Sequence, residues 1–289
     1  MKRMRGDWMK KLAVLLLAAA LLLPAAALPE GNAAEVIPAA EETVAKLPDA
    51  TLMTFFDGTM FVGDSQVAKF RNFVKKKWKE DPEYFRNIDF RAENSYKFRF
   101  AAYKTIPSGE LKYAHITNGG KKMTLYALAK EKKPKRIFIL AGINDALTTD
   151  RKEENGVDRA MRYVRGATEL IREASPETAV YFITQMPVTK SYTQGSNRFK
   201  AVTERWNAIN EAIAAESGEL GITLVDLASG LKDEDGALPS EYCADGLCHL
   251  NDAGYEIFAR ELLDFAQAEY EAGRWIPGAD ADNTTGEEP

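Results

Sequence analysis

Thr59-Met60-Phe61-Val62-Gly63-Asp64-Ser65 runs strand-forming residues straight into a Gly-Asp-Ser turn. Downstream, Val67, Phe70, Val74 and Trp78 recur at helical spacing, while Lys75, Lys76, Lys77 and Lys79 fill the remaining face. The pattern predicts a strand, a tight turn and a helix with Ser65 at its N-terminus. A serine in that position can be a plain helix cap. It can also present a hydroxyl and an outward N–H together, because the first N–H groups of a helix have no intrahelical partner.

The same alternation continues along the chain. Strands are expected at 113–117, 136–140, 179–183 and 222–226, with a shorter one from Tyr96 to Phe100. Helices are expected around 123–130, 157–174 and 199–215, and a last one carries Tyr255, Phe258, Leu262 and Phe265. Strands written as continuous apolar runs between helices indicate an α/β protein with a parallel sheet covered on both faces. In such sheets, sites form beyond the carboxyl ends of the strands. Ser65, Gly119, Asn144 and Gln185 each follow an expected strand.

The 289 residues, 45% hydrophobic and 28% charged, suffice for one substantial domain with flanking segments. Lys2, Arg3, Arg5, Lys10 and Lys11 flank an apolar run, Leu12 to Leu23, followed by Pro24 and Ala25-Ala26-Ala27. This reads as an export signal over 1–27, with an uncleaved anchor as the alternative. Residues 28–50 read as a flexible spacer, 51–275 as the folded domain, and 276–289 as an acidic disordered tail. Cleavage would remove five basic residues and one acidic residue, taking the formal charge from −5 to −9. An acidic chain argues against nucleic acid and against docking on an anionic membrane. The Lys75–Lys77 run reads as a solvated helix face.

Tyr84 to Tyr103 carries seven aromatics, which either cover the core edge or stack on a sugar ring. Two cysteines, Cys243 and Cys248, in an exported chain suggest a disulfide closing a small loop. A metal site from Cys243, Cys248 and His249 lacks the paired spacing and fourth ligand of structural zinc.

A serine nucleophile needs a base within hydrogen-bond reach. The chain has two histidines. His115 lies inside an expected strand and reads as structural, which leaves His249, in a loop before the last helix. Asp245, four residues earlier, is the nearest carboxylate able to orient its ring. Asn144 could donate to an oxyanion together with the N–H groups of Ser65 and of Gly119 or Gly120, or could be a turn residue.

Phe61-Val62-Gly63-Asp64-Ser65, a glycine after the second expected strand, Gly142-Ile143-Asn144-Asp145, and His249-Leu250-Asn251-Asp252-Ala253-Gly254-Tyr255 together resemble the ordered blocks of the SGNH (GDSL-like) hydrolases. The resemblance spans about residues 55–272. It implies a three-layer α/β/α sandwich with a flavodoxin-like, five-stranded parallel sheet. It further implies Ser65 as nucleophile and oxyanion donor, Gly119 or Gly120 and Asn144 as further donors, and His249 as base. Similar proteins place an aspartate three residues before the histidine, whereas Asp245 stands four before it. The expected function is an exported serine esterase that removes O-acetyl or other short acyl groups from carbohydrate or cell-envelope substrates. Gln185 and Tyr192, in the polar loop after the fourth expected strand, are candidate substrate contacts. An O-acyltransferase and a non-catalytic glycan-binding module are the alternatives. The substrate would be a small-molecule or glycan ester, with no membrane insertion after signal cleavage. No cofactor or metal is implied.

Overall fold

Alternating side chains in the strands build the layers. A computed structural model describes residues 45–147, 156–192 and 198–279. The expected export signal, the spacer up to residue 44 and the tail beyond 279 lie outside the described residues. Strands β1 (Thr59–Gly63), β2 (Asp89–Ala92), β3 (Arg136–Leu140), β4 (Ala179–Ile183) and β5 (Thr223–Val225) form one parallel sheet in the order β2-β1-β3-β4-β5. This is the flavodoxin-like order, with its topological switch point between β1 and β3.

Met60, Val62, Ile137, Ile139, Val180 and Phe182 face one side of the sheet. There they pack on helices α4 (Leu125–Lys132), α6 (Gly156–Ala174) and α7 (Arg198–Leu220). Phe61, Phe138, Leu140, Tyr181 and Ile183 face the other side, against α1 (Asp49–Met53), α2 (Ser65–Lys77) and α8 (Asp252–Glu271). Because Phe61 is in register with Phe138, and Phe138 with Tyr181, their rings stack across three strands at 4.9 and 4.5 Å. Slipping one strand by a single residue would drive this ladder to the wrong face.

Gly63 closes β1 where a side chain has no room. A Cβ there would lie 2.2 Å from the Leu140 carbonyl oxygen and 2.5 Å from Val67 Cγ2. The bare glycine lets β1, β3 and the first turn of α2 converge, which sets where Ser65 emerges. Gly63→Ala is expected to destabilise the protein by about 3 kcal/mol through forced overpacking. Urea unfolding of the two proteins checks this.

Two expected strands are corrected. Tyr113 to Thr117 does not join the main sheet: it crosses the α4/α6 side, burying Ile116, and ends in a separate hairpin pairing Thr117–Asn118 with Lys121–Lys122. The strand beside β1 is instead Asp89–Ala92, an edge strand with Phe90 and Ala92 packed on the α2 side. Tyr96 to Phe100 contains a short helix, α3 (Phe98–Ala101), in place of a strand. Its apparent alternation arises because Tyr96, Phe98 and Phe100 all enter the core. The end of the expected spacer also belongs to the folded body. The Leu47 N–H donates to Gln267 Oε1 at 2.9 Å, and Asp49 pairs with Arg260 at 2.6 Å. No described helix is long and apolar enough to cross a membrane.

Candidate active site

Asp64 caps α2 by accepting the Gln66 N–H at 2.9 Å, so Ser65 opens the helix. The Ser65 hydroxyl meets His249 Nε2 at 2.9 Å, across 184 residues of chain. On the other side of the ring, His249 Nδ1 lies 2.5 Å from Asp245 Oδ2. The second carboxylate oxygen, Oδ1, accepts the backbone N–H groups of Leu247, Cys248 and His249 at 2.9, 3.1 and 3.2 Å. One carboxylate thus wraps the loop into a turn with one oxygen and holds the ring with the other. This wrapping accommodates the four-residue spacing.

Burial alone would raise the Asp245 pKa. The His249 ring and the three N–H donors outweigh it and hold the carboxyl well below the usual carboxylate range. Asp245 is therefore anionic across neutral pH, facing the ring nitrogen that must stay protonated if Nε2 is to accept a proton.

The loop bearing His249 is latched to α2. Gln66 Nε2 donates to the Cys248 carbonyl at 2.5 Å, and the Tyr255 hydroxyl of α8 donates to the Gln66 carbonyl at 3.0 Å. The sequence motif flags neither role, because Gln66 reads simply as a helix residue.

The expected disulfide is absent: Cys243 and Cys248 are both free thiols. Backbone bonds already close the loop, with Ala244 N donating to the His249 carbonyl and Asn251 N to the Tyr242 carbonyl. The two side chains also face different packing groups. Cys243 lies against the α2/α8 core, and Cys248 lies with Ile143, Val188 and Trp206. Burial pushes the Cys248 thiol up to about 12, which keeps it protonated. Ligand atoms of Asp245, Cys248 and His249 lie within 4.8 Å of one another. The carboxylate and imidazole atoms are already engaged with each other and with Ser65.

Gly119 and Gly120 depart from expectation. They form the turn of the small hairpin, with positive φ and open space where a Cβ would be. They do not follow a strand of the main sheet. The segment that does is Glu93-Asn94, directly after β2: Ser65, Ala68, Lys69, Asn72, Ala92, Glu93 and Asn94 border one cavity of about 420 Å³. The Glu93 N–H is spent on the Gly63 carbonyl at 3.0 Å, which pins this segment beside the nucleophile turn.

Asn144 sits at the start of α5 (Ile143–Leu147), beyond β3. Its Nδ2 donates to Asp64 Oδ2 at 3.0 Å and to the Tyr96 carbonyl at 3.2 Å. Both amide hydrogens are engaged, so Asn144 reaches an oxyanion only by giving one of them up. Gln185 is buried and donates from Nε2 to the Ala141 carbonyl, tying β4 to β3 in place of lining the open cavity. Tyr192 packs against the Val188 and Trp206 group. His115 is buried against Phe100 and Tyr103 of the α4/α6-side packing group, with ring centroids 4.8 and 5.9 Å away.

Asp64 is fully enclosed beneath the serine. Burial first, and the nearby Asp145 charge, push its carboxyl up to about 7 against the opposing hydrogen bonds from Gln66 and Asn144. Below about pH 4 both folded and unfolded states are protonated; between about 4 and 7 only the unfolded chain releases the proton. Stability is therefore expected to fall over that window by up to about 1.4 kcal/mol per pH unit. Asp64→Asn, which keeps a good helix cap, should flatten the fall. Urea unfolding at pH 5 and pH 8 measures it.

A doubly wound sheet with a serine, a histidine and an aspartate meeting beyond its strand ends is the architecture of the SGNH hydrolases. The GDSL-like lipase/acylhydrolase family model matches residues 112–257, half of the chain, a span that includes Asn144, Asp245 and His249. The chain belongs to that family, which implies ester hydrolysis. Among solved structures, a GDSL-like lipase from Bacteroides thetaiotaomicron is 15% identical, over 78% of this chain and 93% of its own, with a TM-score of 0.50. A candidate GDSL-like lipase from Parabacteroides merdae is 14% identical over 73% and 94%, with a TM-score of 0.51. A candidate acylhydrolase from Bacteroides fragilis is 18% identical over 73% and 86%, with a TM-score of 0.50. At these identities the likeness is one of fold. No curated protein matches the chain.

Proposed function

We propose that this protein is an exported serine esterase that removes O-acetyl or other short acyl groups from carbohydrate or cell-envelope substrates. The observation that carries the reading is the unbroken hydrogen-bond chain Ser65 Oγ, His249 Nε2, His249 Nδ1, Asp245 Oδ2. Ser65 Oγ attacks the ester carbonyl while His249 Nε2 takes its proton, and Asp245 stabilises the imidazolium. The N–H of Ser65, at the start of α2 and bordering the cavity, is the donor offered to the carbonyl oxygen as it becomes negative. Collapse expels the alcohol, which takes the proton from His249. Water, deprotonated by the same ring, then attacks the acyl-Ser65 ester and releases the carboxylic acid.

The cavity beside Ser65 supports small, polar esters. Apart from Ala68 and Ala92 it is built from polar and charged side chains, which would solvate a long hydrocarbon poorly. Export rests on the pattern of residues 1–27. A fluorophosphonate probe and a series of 4-nitrophenyl esters test the reading. Labelling at Ser65 and turnover that falls with acyl length support it. An unlabelled Ser65 and no ester turnover would overturn it.

A further inference from the structure

The exposed face of α2 carries charge that the protein itself leaves unmatched. Ser65, Lys69, Asn72 and Lys76 follow one another in steps of three or four residues, so they form a single stripe beginning at the nucleophile. Lys69, Arg71 and Asn72 border the cavity of about 420 Å³ that holds Ser65. Lys69 and Asn72 also border a second one, about 630 Å³, whose opposite wall is Ala244, Leu250 and Asn251, the residues flanking His249 on its loop.

The cations on this helix fall into two groups. Toward its C-terminus, Lys76 pairs with Asp252 at 2.9 Å and Lys77 pairs with Glu256, both acids belonging to α8. Near the serine, Lys69 and Arg71 have no ion pair and no side-chain hydrogen bond among the described residues, and Arg71 Nε is buried without an acceptor. Glu93 is the one acid bordering that cavity; it bonds to neither cation, and it leaves the wall with one net positive charge. Arg71 borders the cavity without an ion pair of its own among those residues, and a planar guanidinium is matched best by carboxylate or phosphate oxygens. This cationic spot stands out in a chain of net charge −5.

We infer that Lys69 and Arg71 select esters whose alcohol portion carries an anionic group, a carboxylate or a phosphate, close to the scissile bond. The inference rests on the esterase reading above and supplies its substrate class. His249 protonates the leaving alcohol, so that portion of the substrate lies on the side of the His249 loop, where the second cavity continues along α2. From Ser65 to Lys76 the helix extends about 16 Å at 1.5 Å per residue, a length suited to an oligosaccharide.

The test compares three acetylated oligomers of equal length: a polyuronate, a neutral xylan and a glycerol phosphate. In the full chain, kcat/KM for at least one anionic oligomer is expected to exceed the neutral one by about tenfold, mainly through KM, the scale of a charge-assisted contact. The arm that wins identifies the anion. In a Lys69→Gln, Arg71→Gln double variant the anionic-to-neutral ratio should fall to near one, and Lys69→Arg should retain it. Equal kcat/KM for charged and neutral oligomers, or a preference that survives the double variant, overturns the inference. Calorimetric binding of the same oligomers to Ser65→Ala separates the two readings. Charge discrimination in binding with no turnover by the wild type would sink the esterase and leave the selectivity standing.

Discussion

Ser65→Ala is expected to lower kcat on a chromogenic acetyl ester by roughly 10⁴- to 10⁶-fold, with KM little changed. The Ser65 hydroxyl makes its hydrogen bond to His249 Nε2, and among the described residues no second hydroxyl shares that contact. The loss should fall on chemistry rather than folding, because the capping of α2 belongs to Asp64, and alanine is an excellent residue for the first helical turn. The melting temperature should therefore stay close to that of the parent, and labelling by a fluorophosphonate should vanish. Turnover that persists unchanged in Ser65→Ala would place the chemistry elsewhere.

Asp245→Asn is expected to cost about 10⁴-fold in kcat, the scale on which loss of an orienting carboxylate acts. The carboxylate faces Nδ1 at 2.5 Å, where an amide can turn its NH2 toward the ring and favour the wrong tautomer. The loop itself should survive, because the asparagine oxygen can still accept the N–H groups of Leu247, Cys248 and His249. Asp245→Ala removes those acceptors too, so it should lower thermal stability as well as rate. Measuring kcat and melting temperature for both variants separates the two jobs of one side chain. Equal loss of stability in both would mean that the carboxylate charge, and not its hydrogen-bond geometry, holds the loop.

The sheet was legible where strands are buried on both faces. Arg136–Leu140 and Ala179–Ile183 are nearly continuous apolar runs, and their bounds coincide with the expectation from sequence. β2 was not legible, because an edge strand needs little apolar surface: Asp89-Phe90-Arg91-Ala92 packs only Phe90 and the small Ala92 on the core, while Arg91 binds Asn118. With that strand silent in the sequence, Gly119 and Gly120 stand as the glycines after the second expected strand, yet their positive φ serves a hairpin turn. Ser65, His249 and Asp245 were recognisable because two histidines leave few choices of base, and the structure brings all three together. Latches such as Gln66 leave no trace in a pattern of spacing, since their partners are main-chain carbonyls on distant segments. The two thiols misled for a related reason: nearness in sequence says nothing about which side of the loop each one faces.

Gln66 directly follows the serine and grips the residue directly before the histidine. One short strut thereby ties the Ser65 turn to the His249 loop, and Thr189 and Ser191 brace the same loop through the Gly246 and Leu247 carbonyls. Insertions or exchanges in the intervening segments are expected to leave the Ser65–His249 spacing unchanged as long as they spare these anchors. Grafting the proposed site onto another scaffold would require carrying the glutamine along with Ser65, Asp245 and His249.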